Sequence, residues 1–89
     1  MIAVYKKVVA VFKSRSQVMS FIESMNAYGV PCKSVSTPKE ARIGCGVSAE
    51  FSPSHLSRAK EIINRGRYNS FHGLYLIEKR GTRTTTVRI

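Results

Sequence analysis

The chain has no tryptophan, no aspartate and only 5 acidic residues among its 89. Those five, Glu23, Glu40, Glu50, Glu61 and Glu78, are scattered, so no paired-carboxylate site for general acid/base work is visible. There are two cysteines, Cys32 and Cys45, with no CxxC and no Cys/His quartet. A structural zinc site is therefore excluded, and neither a metal nor a cofactor is expected. His55 and His72 are the only histidines. No apolar run approaches the ~18 residues that a membrane span needs. The N-terminus runs straight into Val4-Tyr5-Lys6-Lys7-Val8-Val9 without a signal-peptide pattern. A cytoplasmic location is expected, where both thiols stay reduced. Gly44-Cys45-Gly46 lacks the Lys-Ser/Thr that a nucleotide loop requires.

What is abundant is positive charge. Lys and Arg number 15, for a net charge of +10. So strong a balance implies an anionic partner: nucleic acid, a small anion or an acidic protein surface. The hydrophobic fraction of 43% suits a folded globule. A chain this short buries roughly 60–65% of its unfolded surface, so the core is modest and homodimerisation would help it.

Val4 to Lys13 is rich in β-branched and aromatic residues and reads as a strand, central because Val8–Phe12 is continuously apolar. Ser14 with Gln17 fits a capping box and opens a helix. Val18, Ile22 and Met25, flanked by Met19 and Phe21, form its buried stripe, and Gly29 stops it. Val30 to Ser36 is a short strand. A loop follows, and Gly46 to Phe51 alternates as the next strand. Ser52-Pro53 starts a second helix with the stripe Leu56, Ala59, Ile62 and Ile63, ended by Gly66. Tyr68 to Glu78 is the last core strand. Residues 1–78 thus make one domain, and 79–89 are either a fifth strand or a basic tail.

Strand-helix-strand-strand-helix-strand is the order of a split βαβ, ferredoxin-like α+β fold, with an antiparallel sheet and both helices on one face. That order puts the 37–46 loop at the same end of the sheet as the first helix's N-terminus. Cys45 stands in this loop between Gly44 and Gly46. Lys39 and Arg42 in the loop, with Lys13, Arg15, Arg65 and Arg67 at the same end, form a candidate anion-binding ring that would favour a thiolate.

The Thr37-Pro38-Lys39-Glu40 stretch, the Cys45-Gly46 pair opening a strand and the Phe51-Ser52-Pro53 helix start resemble the selenium/sulfur carrier-like proteins, a small bacterial family of largely unknown function. The likeness runs from about Tyr5 to Glu78. It points to Pro38, Lys39, Cys45 and Gly46. The family shows small Ser-like residues ahead of the Cys-Gly pair, where this chain has Arg42-Ile43-Gly44. The resemblance implies a carrier that holds sulfur or selenium on Cys45 as a persulfide or perselenide. Its partners would be a donor and an acceptor protein. Lys39 and Arg42 would stabilise the charge, Gly44 and Gly46 would allow access, and Pro38 would stiffen the loop. With no general acid/base partner for Cys45, independent enzymatic turnover is not expected.

Each residue also has a plainer reading. Cys45 is then a small residue at a strand start, and Cys32 a small hydrophobe rather than a resolving thiol. Glu40 pairs with a neighbouring cation, and His72 is a solvated strand residue. Two other function classes stand beside the carrier. One is a basic nucleic-acid module of RNA-recognition-like topology, held non-specifically by Lys6, Lys7, Arg80, Arg83 and Arg88. Its weakness is the third strand, where Val47 and Ala49 stand in place of base-stacking aromatics. The other is a dimerising regulatory domain without chemistry. In every reading the sheet face away from the helices must be covered or polar, and either Leu74/Leu76 or Tyr75/Ile77 lie on it.

Overall fold

A computed structural model describes residues 4–41 and 45–89. The elements are β1 (Val4–Phe12), α1 (Arg15–Ala27), β2 (Lys33–Ser36), β3 (Val47–Phe51), α2 (Leu56–Gly66), β4 (Phe71–Arg80) and β5 (Arg83–Arg88). Single 3₁₀ turns at Lys39–Ala41 and Pro53–His55 precede β3 and α2. The sheet order is β2-β3-β1-β4-β5, and each neighbouring pair is antiparallel. This is the ferredoxin-like arrangement, with a fifth strand added beyond β4. The segment after Lys79 supplies that strand through a two-residue loop between the paired Arg80 and Arg83. Gly81 there has φ 61°, a left-handed conformation that glycine accepts without strain.

β1 is central, and Val8 to Phe12 are all buried. Alternation divides them. Val8, Ala10 and Phe12 join the helices in one core, while Val9 and Val11 face the other side. Phe12 is the hub of the helix-side core. Its ring centroid lies 5.4 Å from each of Phe21, Tyr68 and Phe71, the last two edge-on.

α1 buries Val18, Phe21, Ile22 and Met25. Met19, one residue off the stripe and therefore ~100° around the helix, is exposed instead. Its C-terminus is a Schellman motif: Val30 N–H donates to the Met25 carbonyl (3.0 Å) and Gly29 N–H to that of Asn26 (2.9 Å). Gly29 has φ 78° there. Val30 belongs to this cap, so β2 begins only at Lys33, later than the alternation predicts. α2 differs from expectation at its end as well. Gly66 is its last helical residue, and the left-handed residue is Arg67, at φ 54°. Gly66 lacks a side chain because the Tyr68 ring lies against it.

The N-terminus of α1 is tied to the chain entering β4. Ser14 Oγ accepts from Gln17 N–H (3.4 Å), as a capping box requires. The reciprocal bond is rerouted. Ser70 Oγ accepts from Ser14 N–H (3.2 Å), and Gln17 Oε1 accepts from Ser70 N–H (3.0 Å). Gln17 Nε2 donates to Asn69 Oδ1 (2.6 Å). One side chain thus joins two elements far apart in sequence. Gln17→Ala should cost about 1–2 kcal/mol, or on the order of 5–10 °C in Tm, far more than an exposed glutamine on a helix surface. Thermal denaturation of the variant checks this, and an unchanged Tm would show the bridge to be idle.

Candidate functional site

The segment between β2 and β3 closes on itself. Thr37 N–H donates to the Gly46 carbonyl (3.1 Å), and Thr37 Oγ1 bonds the buried Ser48 Oγ (2.7 Å). Gly46 takes φ 86° with nothing near a would-be Cβ, so backbone conformation and not space asks for glycine there. From this closure the chain crosses the open sheet face. The 3₁₀ turn, held by Ala41 N–H to the Pro38 carbonyl (3.1 Å), sets Ala41 against Val9, Val11 and Tyr75. Val35 and Ile77 flank the patch. The loop is therefore a strap, reaching from edge strand β2 to β4. It answers which residues lie on the open face: Tyr75 and Ile77, with Leu74 and Leu76 on the helix side.

Cys45 stands at the far end of the strap. It is half-buried and packs with Val47 against the helix-side core. Its thiol donates to the Val47 carbonyl (3.4 Å). Pro38 is half-buried, while Lys39 and Gly46 are exposed. Arg42 and Gly44 lie outside the described residues. Lys13 and Arg15 are exposed at the same end of the sheet. Arg65 extends along α2 toward Glu61 (3.8 Å) and borders a groove with Tyr28 and Tyr68. Arg67 caps α2. Among the described residues, no hydrogen bond joins any of these cations to Cys45.

Cys32 is remote from it. Lys33 pairs with Glu50 and Ser36 with Val47, so the two thiols lie beyond opposite ends of one hairpin. Four strand residues alone span roughly 13 Å, well past the ~7 Å Cα limit of a disulfide. Both are free cysteines. Burial pushes the Cys32 thiol up from 9.0 to about 11, and the Glu50 carboxylate adds to the rise. Glu50 itself pairs with Lys7 Nζ at 2.6 Å. That bond raises the Lys7 ammonium above its ordinary value, against a smaller opposing effect of burial.

One arrangement was missed at the sequence level. β1 and β4 slip by one residue at Val11/Phe12, leaving His72 as the extra residue of a bulge. His72 therefore turns toward the open face. Its ring stacks on Tyr75 and Nε2 bonds the Tyr75 hydroxyl at 3.1 Å. Arg88 donates to the His72 carbonyl (2.7 Å). Burial first, then the charges of Arg88 and Lys13, lower the imidazole below its ordinary value. His55 sits in the turn before α2, at the other end of the sheet from Cys45. Among the described residues no three metal-ligating groups converge, and no helix is long and apolar enough to cross a membrane.

The open face is no base-stacking platform. Val47 and Ala49 point to the helices, so the relevant open-face residues are Ser48 and Glu50 on β3 with Val9 and Val11 on β1. Ala41 covers the two valines; the aromatics of this face are Tyr75, buried beside them, and Tyr5, exposed at the far end of β1.

Fold and site together define a small ferredoxin-like domain with a strapped sheet and one half-buried cysteine closing the strap. The chain belongs to the family described as "Putative Se/S carrier protein-like", whose model matches residues 7–72. Comparison with curated proteins and with solved structures gives no match.

Two outcomes follow from this geometry. Ala41→Glu places a carboxylate against Val9, Val11 and Tyr75, where it has no partner. A loss of about 2–4 kcal/mol is expected, with faster tryptic cleavage after Lys39; unchanged stability would mean the strap is not packed. The second concerns pH. Between 9.0 and about 11 the unfolded chain has lost the Cys32 proton and the folded one has kept it. The unfolded state binds fewer protons there, so stability falls as pH rises through that window. Allowing for partial exposure, the loss is about 1 kcal/mol. Urea denaturation at both ends of the window should show a smaller decline in Cys32→Ala than in the wild type.

Proposed function

We propose that this protein carries sulfur or selenium on Cys45. The family match over residues 7–72 supports the reading, and the contrast between the two thiols directs it to Cys45. Cys32 is held protonated far above neutral pH and is a poor nucleophile. Cys45 ends a strap whose closure rests on Gly46, beside a cation-rich stretch.

In the transfer, the Cys45 sulfur attacks the terminal sulfur of a donor persulfide. A new S–S bond forms at Cys45 as the donor's S–S bond breaks, and the donor leaves as a thiolate. The sulfur moves at unchanged oxidation level, so no oxidant or reductant is consumed. A selenium donor follows the same electron count. Lys39 and Arg42 would hold the anionic persulfide, Pro38 would stiffen the approach, and Gly44 and Gly46 would leave room for the partner. Lys13, Arg15, Arg65 and Arg67 provide the wider positive field at that end. The natural partners are a donor and an acceptor protein, and the domain itself needs no turnover chemistry.

Incubation with glutathione persulfide followed by intact-mass measurement tests this. The wild type and Cys32→Ser should gain the mass of one sulfur atom, lost again on reduction. Cys45→Ser should gain none. Equal labelling of Cys45→Ser and the wild type would overturn the assignment.

A further inference from the structure

The sheet contains a slot one strand wide, at the end opposite Cys45. β1 pairs with β4 along its whole length, from Val4 to Phe12. On its other side it pairs with β3 only from Val8 to Ala10, because β3 ends at Phe51 and the chain departs through Ser52 and Pro53. Beyond Phe51 the track of β3 is vacant. Tyr5–Lys7 line one wall of the resulting cleft of about 390 Å³, Pro31–Lys33 the other, and Phe51 and Ser52 close its upper end. Among the described residues, no hydrogen bond to the β3 side satisfies the backbone of Val4–Lys7. A strand offers N–H and C=O to each side at alternate residues, so this edge is a template for another strand.

The charges around the slot choose its occupant. Alternation from Val8 and Ala10 puts Lys6 on the helix side of the sheet. Lys33 pairs with Glu50, which pairs with Val9, so Lys33 is on the open side. Both lysines are exposed. Lys7 is already matched by Glu50 at 2.6 Å. Lys6 thus flanks the vacant track on the helix side, and Lys33, level with Glu50 at the upper end of the cleft, reaches it diagonally on the open side. An inserted strand points successive side chains to opposite faces, so two adjacent acidic residues would meet Lys6 and Lys33 in turn.

We propose that this slot takes a short extended segment of a partner protein, added as a strand along Val4–Lys7 and carrying adjacent acidic residues. Backbone pairing gives the affinity, and the two lysines select the sequence. From Val47, next to the Cys45 end of the hairpin, down to Ser52 is five strand residues, roughly 17 Å, so an occupant leaves Cys45 uncovered. The inference stands whether or not Cys45 carries sulfur.

Fluorescence anisotropy with a labelled peptide of Glu pairs spaced by Val and Thr, titrated with the full protein at low salt, tests it. Saturable binding is expected, with amide shifts in nitrogen-proton correlation spectra centred on Tyr5–Lys7, Cys32 and Lys33. The Lys6→Glu/Lys33→Glu variant should bind about tenfold more weakly or worse, while Lys60→Glu, exposed on α2 and outside the slot, should bind as the wild type does. Replacing the spacer residues by proline keeps the charge but removes the strand donors, and should abolish binding. Equal affinity for the proline peptide would reduce the effect to general attraction and overturn the proposal. So would no binding at low salt, or an oligoribonucleotide competing with shifts spread over the whole basic surface.

Discussion

Everything about the site follows from one constraint: the central strand is apolar on both faces. Val8, Ala10 and Phe12 demand cover on one side, and Val9 and Val11 on the other. Burying a valine is worth on the order of 1.5–3 kcal/mol, a large share of what a domain this size can muster. The two helices meet the first demand. Among the described residues both α-helices lie on that same side, so something else must meet the second. The 3₁₀ turn at Lys39–Ala41 does so, and this draws the β2–β3 connection across the sheet as a strap. The loop that carries the cysteine is thus part of the core.

That origin sets the character of the two thiols. Both touch the helix-side core, yet at opposite ends of the same hairpin. Cys32 enters β2 where the chain is hemmed in by Phe51 and by the Glu50 carboxylate, and both features keep its proton on. Among the described residues, Cys45 ends a segment held by Ala41 on the open face and by Thr37, which bonds Gly46 and Ser48.

Most of the fold could be read from the amino-acid order, because the signals for it are local. Ser14 and Ser52 announce the helix starts, and alternation in β3 sorts its faces. The family resemblance rests on equally local residues, and the match over 7–72 bears it out. What escaped notice is non-local. Ala41 sits in a polar stretch with no periodicity, so nothing nearby announces it as core. The bulge at His72 arises from the register of β4 against β1, which no window along one strand contains. It alone turns His72 onto Tyr75. The start of β2 falls later than alternation predicts for a related reason: Val30 is apolar because it completes a helix cap against Met25, not because it is a strand residue. Gln17 was read as a capping residue, but its main partner is Ser70, 53 positions away.

The charge balance gains meaning once the structure assigns the acids. Glu50 pairs with Lys7, Glu61 with Arg58 and Arg65, and Glu78 with Arg80. Among the described residues three glutamates are thus matched within the fold, and the net charge of +10 is unchanged by that pairing. Surface cations without partners contribute little to stability and repel one another. Some gather at the cysteine's end of the sheet and some beside the vacant strand track, while Lys60, Lys79 and Arg83 are spread over α2, β4 and β5. The open face offers bases one exposed tyrosine, Tyr5, because Tyr75 is buried against Ala41, so the excess charge has little platform for reading nucleic-acid sequence. An unpaired strand edge flanked by lysines on both faces does discriminate, since it accepts only an extended chain with acids in the right alternation. Of the anionic partners that the composition admits, the acidic protein surface is the one that this backbone is shaped to recognise.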